Sequence, residues 1–170
     1  MSQAVIGIGT NMGDRIGNIN MAIRAISRLP NVKVVAGSAV YETDPIGKTD
    51  QDRFYNAVVL VQTTASPHTL LGGCLGIEAA MGRVRTERNA PRLIDLDLLI
   101  YENYKSETFE LFLPHPRMME RAFVLRPLLD IFPSGRALGV LFGPALRELD
   151  DQGVDKTKYE LIIPEQSDLL

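Results

Sequence analysis

The stretch that most constrains this chain runs from Leu93 to Tyr101, an apolar run broken only by Asp95 and Asp97. Such a run reads as a strand. Successive strand side chains leave on opposite faces, so Asp95 and Asp97 share one face, about 6–7 Å apart along the chain. Ile94, Leu96 and Leu98 then turn together into a core. Two carboxylates held side by side repel each other unless a cation sits between them. Just upstream, a polar loop carries Arg83, Arg85, Arg88 and Arg92, with Pro91 stiffening its end. Guanidinium groups do not bind metal, but they hold phosphates in a fixed fork. Carboxylate pair plus arginine loop therefore reads as a magnesium–polyphosphate site. The plainer alternative is an exposed acidic strand neutralised by salt bridges to the same arginines.

The 170 residues are 45% apolar and 23% charged. That is one ordinary domain, residues 1–170, large enough to bury about 70% of its unfolded surface. A net charge of −3 disfavours nucleic acid as a partner and confines any basic site to a local patch. One cysteine, Cys74, excludes an internal disulfide and a multi-cysteine metal site. Two histidines, His68 and His115, are too few for a histidine-rich one. No apolar run approaches the ~18 residues of a membrane span, and the N-terminus lacks the pattern of a signal peptide. The expectation is a cytoplasmic monomer with no membrane partner.

In chain order, Gln3 to Thr10 reads as a strand. Its glycines are spaced one residue too far for a dinucleotide fingerprint. Asp14 caps a helix with Ile16, Ile19, Ile23 and Ile26 on one face, stopped by Pro30-Asn31. Val32 to Tyr41 reads as one strand, with Gly37 marking a bulge. The polar loop Glu42–Arg53 is long for a hairpin and of a length often given to function. Ala57 to Thr63 reads as the third strand. Phe54 and Asn56 at its start suit either a flat heterocycle or a core ring and a turn. Ser66-Pro67 opens a second helix, with Leu70, Leu71, Cys74, Leu75 and Met81 on its buried side and Glu78 near its end. After the aspartate strand come a turn, a short strand from Phe109 to Leu113, and the loop Pro114-His115-Pro116 entering a helix. Arg117 and Arg121 are expected at i,i+4 on that helix, which Pro127 interrupts. A further helix, Ala145–Leu149, and a last strand or edge segment, Tyr159–Ile163, complete the chain. The order β-α-β-β-α-β is that of a ferredoxin-like α+β sandwich, with helices on one sheet face and the other left for ligands.

Four motifs then line up: Gly9-Thr10-Asn11-Met12-Gly13-Asp14; Tyr41-Glu42-Thr43 with Pro45, Phe54 and Asn56; Gly82-Arg83-x-Arg85 through Pro91-Arg92-x-x-Asp95-x-Asp97; and Pro114-His115-Pro116 through Arg121-x-Phe123. Together they resemble the 6-hydroxymethyl-7,8-dihydropterin pyrophosphokinase family of folate biosynthesis, over roughly Ala4 to Leu129. The resemblance implies transfer of pyrophosphate from ATP, as co-substrate, to a reduced pterin, with release of AMP. It implies two magnesium ions on Asp95 and Asp97, with Arg83 and Arg92 also catalytic. Glu78, Arg85, Arg92, His115 and Arg121 would hold ATP. Phe54 and Phe123 would sandwich the pterin, with Thr43, Asp44, Ile46 and Asn56 around its edge. Asn11 and the glycines beside it would be structural.

Three features depart from the family pattern. Asp44 stands where an apolar residue or proline is expected. The loop between Arg85 and Pro91 is a residue short and lacks an aromatic. Glu110 and Phe112 replace basic and hydroxyl residues. Two other functions share parts of the pattern. A palm-like nucleotidyl transferase also uses two carboxylates on such a sheet, but needs a nucleic-acid channel. A non-catalytic nucleotide-sensing module would bind ATP without magnesium.

Overall fold

Alternation along the first strand decides the architecture. In β1 (Ser2–Thr10), Ala4, Ile6 and Ile8 leave on one face, while Val5, Gly7 and Gly9 leave on the other. The computed structural model describes residues 1–46, 50–82 and 91–165. In it β1 lies inside the sheet, antiparallel to β4 (Phe54–Thr63) on one side and to β5 (Asp95–Tyr101) on the other. Two helices cover the first face. In α1 (Arg15–Ser27) the Asp14 carboxylate accepts the Gly17 N–H, and Ile19, Ile23 and Ile26 are buried. In α2 (Pro67–Ala80) the Ser66 hydroxyl accepts the Thr69 N–H, with Pro67 in the first turn. They close over Ile6, Ile8, Val59, Val61, Leu96 and Leu98. Ile94, Leu96 and Leu98 thus point into one core, as the sequence pattern requires.

β2 (Val32–Gly37) and β3 (Ala39–Thr43) both pair with β4, and β10 (Val154–Glu160) adds to the outer edge of β3. The order is β10-β3-β4-β1-β5. Without β10 this is the ferredoxin-like βαββαβ arrangement expected from the sequence.

Local expectations are corrected at several points. The expected single strand Val32–Tyr41 is two. Ser38 separates them, donating its N–H to Val58 O and accepting the Val58 N–H on Oγ. Gly37 serves close approach: a Cβ there would meet Leu161 Cδ1 at 2.8 Å. On α2, Ile77 is buried and Leu75 is 45% exposed, because the buried stripe follows Leu70, Cys74 and Ile77. The expected strand from Phe109 shrinks to β7 (Phe112–Leu113), paired with β6 (Ser106–Glu107). Thr108 and Leu111 close a turn between them, which leaves Phe109 fully exposed. The last strand begins at Val154 rather than Tyr159. Its charged, exposed residues hide it from any apolar count.

The largest correction concerns the face left for ligands, half of which is covered. After the single turn of 3-10 helix Met118–Glu120 comes α3 (Ala122–Ile131), which continues through Pro127. The hairpin β8–β9 (Arg136–Ala137, Val140–Leu141) and α4 (Gly143–Glu148) follow. Met118, Leu125, Leu128 and Phe142 cover Val5, Val58, Leu60, Leu99 and Ile100 of the sheet. That burial outweighs the backbone bond Pro127 cannot donate. Asp130 pins α3 to β3, accepting from Tyr41 Oη at 2.9 and 3.0 Å and from the Ala39 N–H at 3.0 Å. Burial, reinforced by that carboxylate, raises the Tyr41 hydroxyl to about 12. Arg117 and Arg121 do not share a helix face, because the 3-10 turn separates them and Arg121 is extended.

Leu125 is fully buried between α3 and the sheet. Leu125→Ala is expected to cost about 2–5 kcal/mol in urea unfolding. A cost near zero would mean that α3 is not seated on the sheet.

Candidate active site

Beyond the cover of α3, the second face of the sheet bears small side chains. Across the β1–β5 ladder Gly7 faces Asp97 and Gly9 faces Asp95; across the β1–β4 ladder Gly9 faces Asn56. A Cβ at Gly9 would meet Asn56 Oδ1 at 2.8 Å, and one at Gly7 would meet Leu99 Cδ1 at 3.2 Å. The two glycines therefore keep the floor low. Above it opens a cleft of about 280 Å³. The strand period brings Asp95 and Asp97 into the cleft from β5, and Phe54 and Asn56 from β4. Thr43 ends β3, Asp44 and Ile46 follow it, and Arg121 and Phe123 enter from the start of α3.

Each wall is tied down. Asn56 Nδ2 donates to Thr43 Oγ1 at 2.7 Å, and both residues are buried. Arg92 is held through its backbone: its N–H donates to Asn11 Oδ1 at 2.7 Å, and its carbonyl accepts the Asn11 N–H at 3.0 Å. The Asn11 amide also donates to Gln51 Oε1 and to the Asp52 carbonyl. This supports the structural role expected for Asn11, which joins two loops at the mouth of the cleft. The Arg92 guanidinium lies 3.5 Å from Asp95 Oδ2 and 5.9 Å from the centroid of the Phe54 ring. That of Arg121 lies 5.5 Å from the centroid of Phe123.

The electrostatics follow from the crowding. Burial pushes Asp97 up to about 7, and Asp95 pushes in the same direction; Arg121 and Arg92 oppose both. His115 is lowered by burial first and then by Arg121. Its Nδ1 accepts the Arg117 N–H at 3.2 Å, which leaves Nε2 as the protonated nitrogen of the neutral ring. It follows a cis Leu113–Pro114 bond, and its own N–H donates to Leu99 O at 2.8 Å. His115 and Glu78 stand beside the cleft rather than in its lining. Glu78 is buried, and its Oε2 accepts the Leu96 N–H of the edge strand at 3.4 Å. Arg83, Arg85 and Arg88 lie outside the described residues, as do 47–49 of the polar loop.

Sequence reasoning missed three residues. Arg117 and Glu120 also line the cleft. Arg53 gathers Glu42 at 2.8 Å, Asp44 at 3.0 Å and Asp155 at 2.9 Å. That fork engages the carboxylate of Asp44, the residue that departs from the family pattern. No spacing in the sequence links Arg53 to Asp155. Among the described residues no group of three or more His, Cys, Asp or Glu could hold a metal. A cation on Asp95 and Asp97 would complete its shell with water and phosphate oxygen, as magnesium does.

An acid pair beside guanidinium groups over a glycine floor, on a ferredoxin-like sheet, is the arrangement that the cleft presents. The family model for 7,8-dihydro-6-hydroxymethylpterin-pyrophosphokinase matches residues 5–133, and the chain belongs to that family. It is 44% identical over 158 residues to the 2-amino-4-hydroxy-6-hydroxymethyldihydropteridine pyrophosphokinase of Methylorubrum extorquens, covering 93% of this chain and 100% of that one. To the protein of the same name from Bacillus subtilis it is 42% identical over 128 residues, covering 75% and 77%. A crystal structure of an HPPK-DHPS in complex with substrates matches with a TM-score of 0.66 at 14% identity, covering 86% of this chain and 44% of that one. A Plasmodium falciparum HPPK-DHPS matches with a TM-score of 0.62 at 17% identity, covering 87% and 43%. These two likenesses show the fold, and this chain spans less than half of either structure.

Asp97 has a folded pKa above its unfolded value of 3.8. Its ionised form is therefore disfavoured in the fold, and its contribution to stability falls as pH rises from about 4 to about 7. In EDTA at pH 8, Asp97→Asn is expected to raise the melting temperature, with the gain fading towards pH 4. A lower melting temperature at pH 8 would show that the carboxylate is well compensated without a cation.

Proposed function

We propose that this chain transfers pyrophosphate from ATP to 6-hydroxymethyl-7,8-dihydropterin, giving the pterin diphosphate and AMP, in folate biosynthesis. The observation that carries the reading is one cleft holding an acid pair, guanidinium groups and two phenylalanines together. Membership of the pyrophosphokinase family and the names of its relatives support it.

The donor set fits magnesium: two carboxylates on one strand face, over glycines, with burial working against the charge of Asp97. Asp95 and Asp97 would hold two ions. Magnesium, when bound, screens the phosphates and polarises the one under attack. The rest falls to side chains. Phe54 and Phe123 sandwich the pterin plane, as aromatic faces do. Thr43 and Asn56, each fixing the other, present amide and hydroxyl groups to the pterin edge. Asp44 and Ile46 close the rim. ATP carries about four negative charges, and Arg92 and Arg121 meet them in bidentate fashion. Arg83 and Arg85 add to that positive charge, and Glu78 and His115 support the nucleotide side.

The hydroxymethyl oxygen attacks the β-phosphorus in line, and the bond from that phosphorus to the α-bridging oxygen breaks. AMP leaves with that oxygen, and the hydroxyl proton passes to solvent or phosphate. Catalysis of this kind is positioning plus charge stabilisation, with no covalent enzyme intermediate.

Incubation with ATP, magnesium and the pterin, followed by chromatography, is expected to show AMP and pterin diphosphate, and neither in EDTA. ADP in place of AMP would overturn the assigned bond. Asp97→Ala is expected to remove turnover by about 10²-fold or more while circular dichroism stays native; retained turnover would exclude Asp97 from the site. Phe123→Ala is expected to weaken pterin binding more than ATP binding, and the reverse order would refute the stacking.

A further inference from the structure

The family model stops at residue 133, yet the chain beyond it reaches back to both walls of the cleft. The contact is made by the turn before β10, Asp151–Gly153. Gln152 and Gly153 both have positive φ, +56° and +66°, so the turn is tight.

One wall is the start of α3. The first N–H groups of a helix have no partner within it, and a short polar side chain at the N-cap usually supplies one. Here the N-cap is Arg121, which makes no such bond. The Gln152 amide supplies it from outside and straddles Arg121. Its Oε1 accepts the Ala122 N–H at 3.0 Å, and its Nε2 donates to Glu120 O at 3.0 Å. Arg126 of the same helix donates to the Val154 carbonyl and pairs with Asp151 at 3.8 Å. The other wall is the segment after β3. Arg53 donates to Gly153 O at 2.7 Å and to Asp155 at 2.9 Å, and holds Asp44 at 3.0 Å. A side chain at Gly153 would run into the Asp44 carboxylate.

We propose that Gln152 is a positioning residue for Arg121: its amide fixes the backbone on either side of Arg121, so that the guanidinium meets the triphosphate from a set direction. The inference rests on the placement of Arg121 on ATP made above. Gln152 itself is exposed and lies outside the lining of the cleft. It touches no substrate and acts through Arg121.

A double-mutant cycle on the full chain tests this with magnesium-ATP and pterin as substrates. Gln152→Ala is expected to lower kcat/KM for ATP roughly tenfold, within the hundredfold that an ångström of misplacement produces. In an Arg121→Ala background the same change is expected to cost less than about twofold. An equal loss in both backgrounds, or no loss in the parent, overturns the proposal while leaving the reaction assignment intact. If Arg121→Ala alone leaves turnover unchanged, the placement of Arg121 falls and the proposal with it. Gln152→Glu, which keeps the acceptor for Ala122 and loses the donor to Glu120, goes through the same cycle should the alanine variant fail to fold.

Discussion

As pH rises through about 7, the charge forming on Asp97 works against the folded state. Asp97 is largely buried, Asp95 shares its strand face, and together these push its carboxyl up to about 7. Arg92 and Arg121 only partly compensate. A fold tolerates such a group when a ligand supplies the missing charge. The surroundings are consistent with that. Gly7 and Gly9 clear the space over the carboxylates, and the arginines approach from the rim. The rest of that sheet face is sealed by α3 and α4.

Polar contacts tie the margins of the cleft together. Asn11 ties the segment bearing Arg92 to residues 51 and 52. Asp130 ties α3 to β3. Arg53 ties β3, β4 and the start of β10 together. These polar anchors lie at loops and strand ends, where apolar burial is thin. Phe54 lines one wall of the cleft and Phe123 the other.

Much of this was legible in the residues. The period of two in Ile94–Leu98 placed both the aspartates and the core, and Asp14 and Ser66 marked two helix starts. Thr43, Phe54, Asn56 and Phe123 come from three elements, and only the family resemblance brought them together. What stayed hidden has physical causes. β10 is an edge strand with exposed charged residues, so no apolar alternation reveals it. The seat of α3 depends on Val58, Leu60 and Leu99 presenting a second apolar face, which a strand buried on both sides does not announce. Arg53 and Gln152 act on partners far along the chain, and side-chain contacts at that range leave no local pattern.

On the proposed function, a cation brought with the nucleotide would complete the acid pair. The most direct test is the affinity for a non-hydrolysable ATP analogue, measured by calorimetry with magnesium and with EDTA, in the parent chain and in Asp97→Asn. Magnesium is expected to tighten binding to the parent by about tenfold or more, roughly 1.4 kcal/mol, and to have little effect on the variant. Equal affinity in magnesium and EDTA for the parent chain would mean that no cation completes the acid pair and that nucleotide binds through the arginines alone.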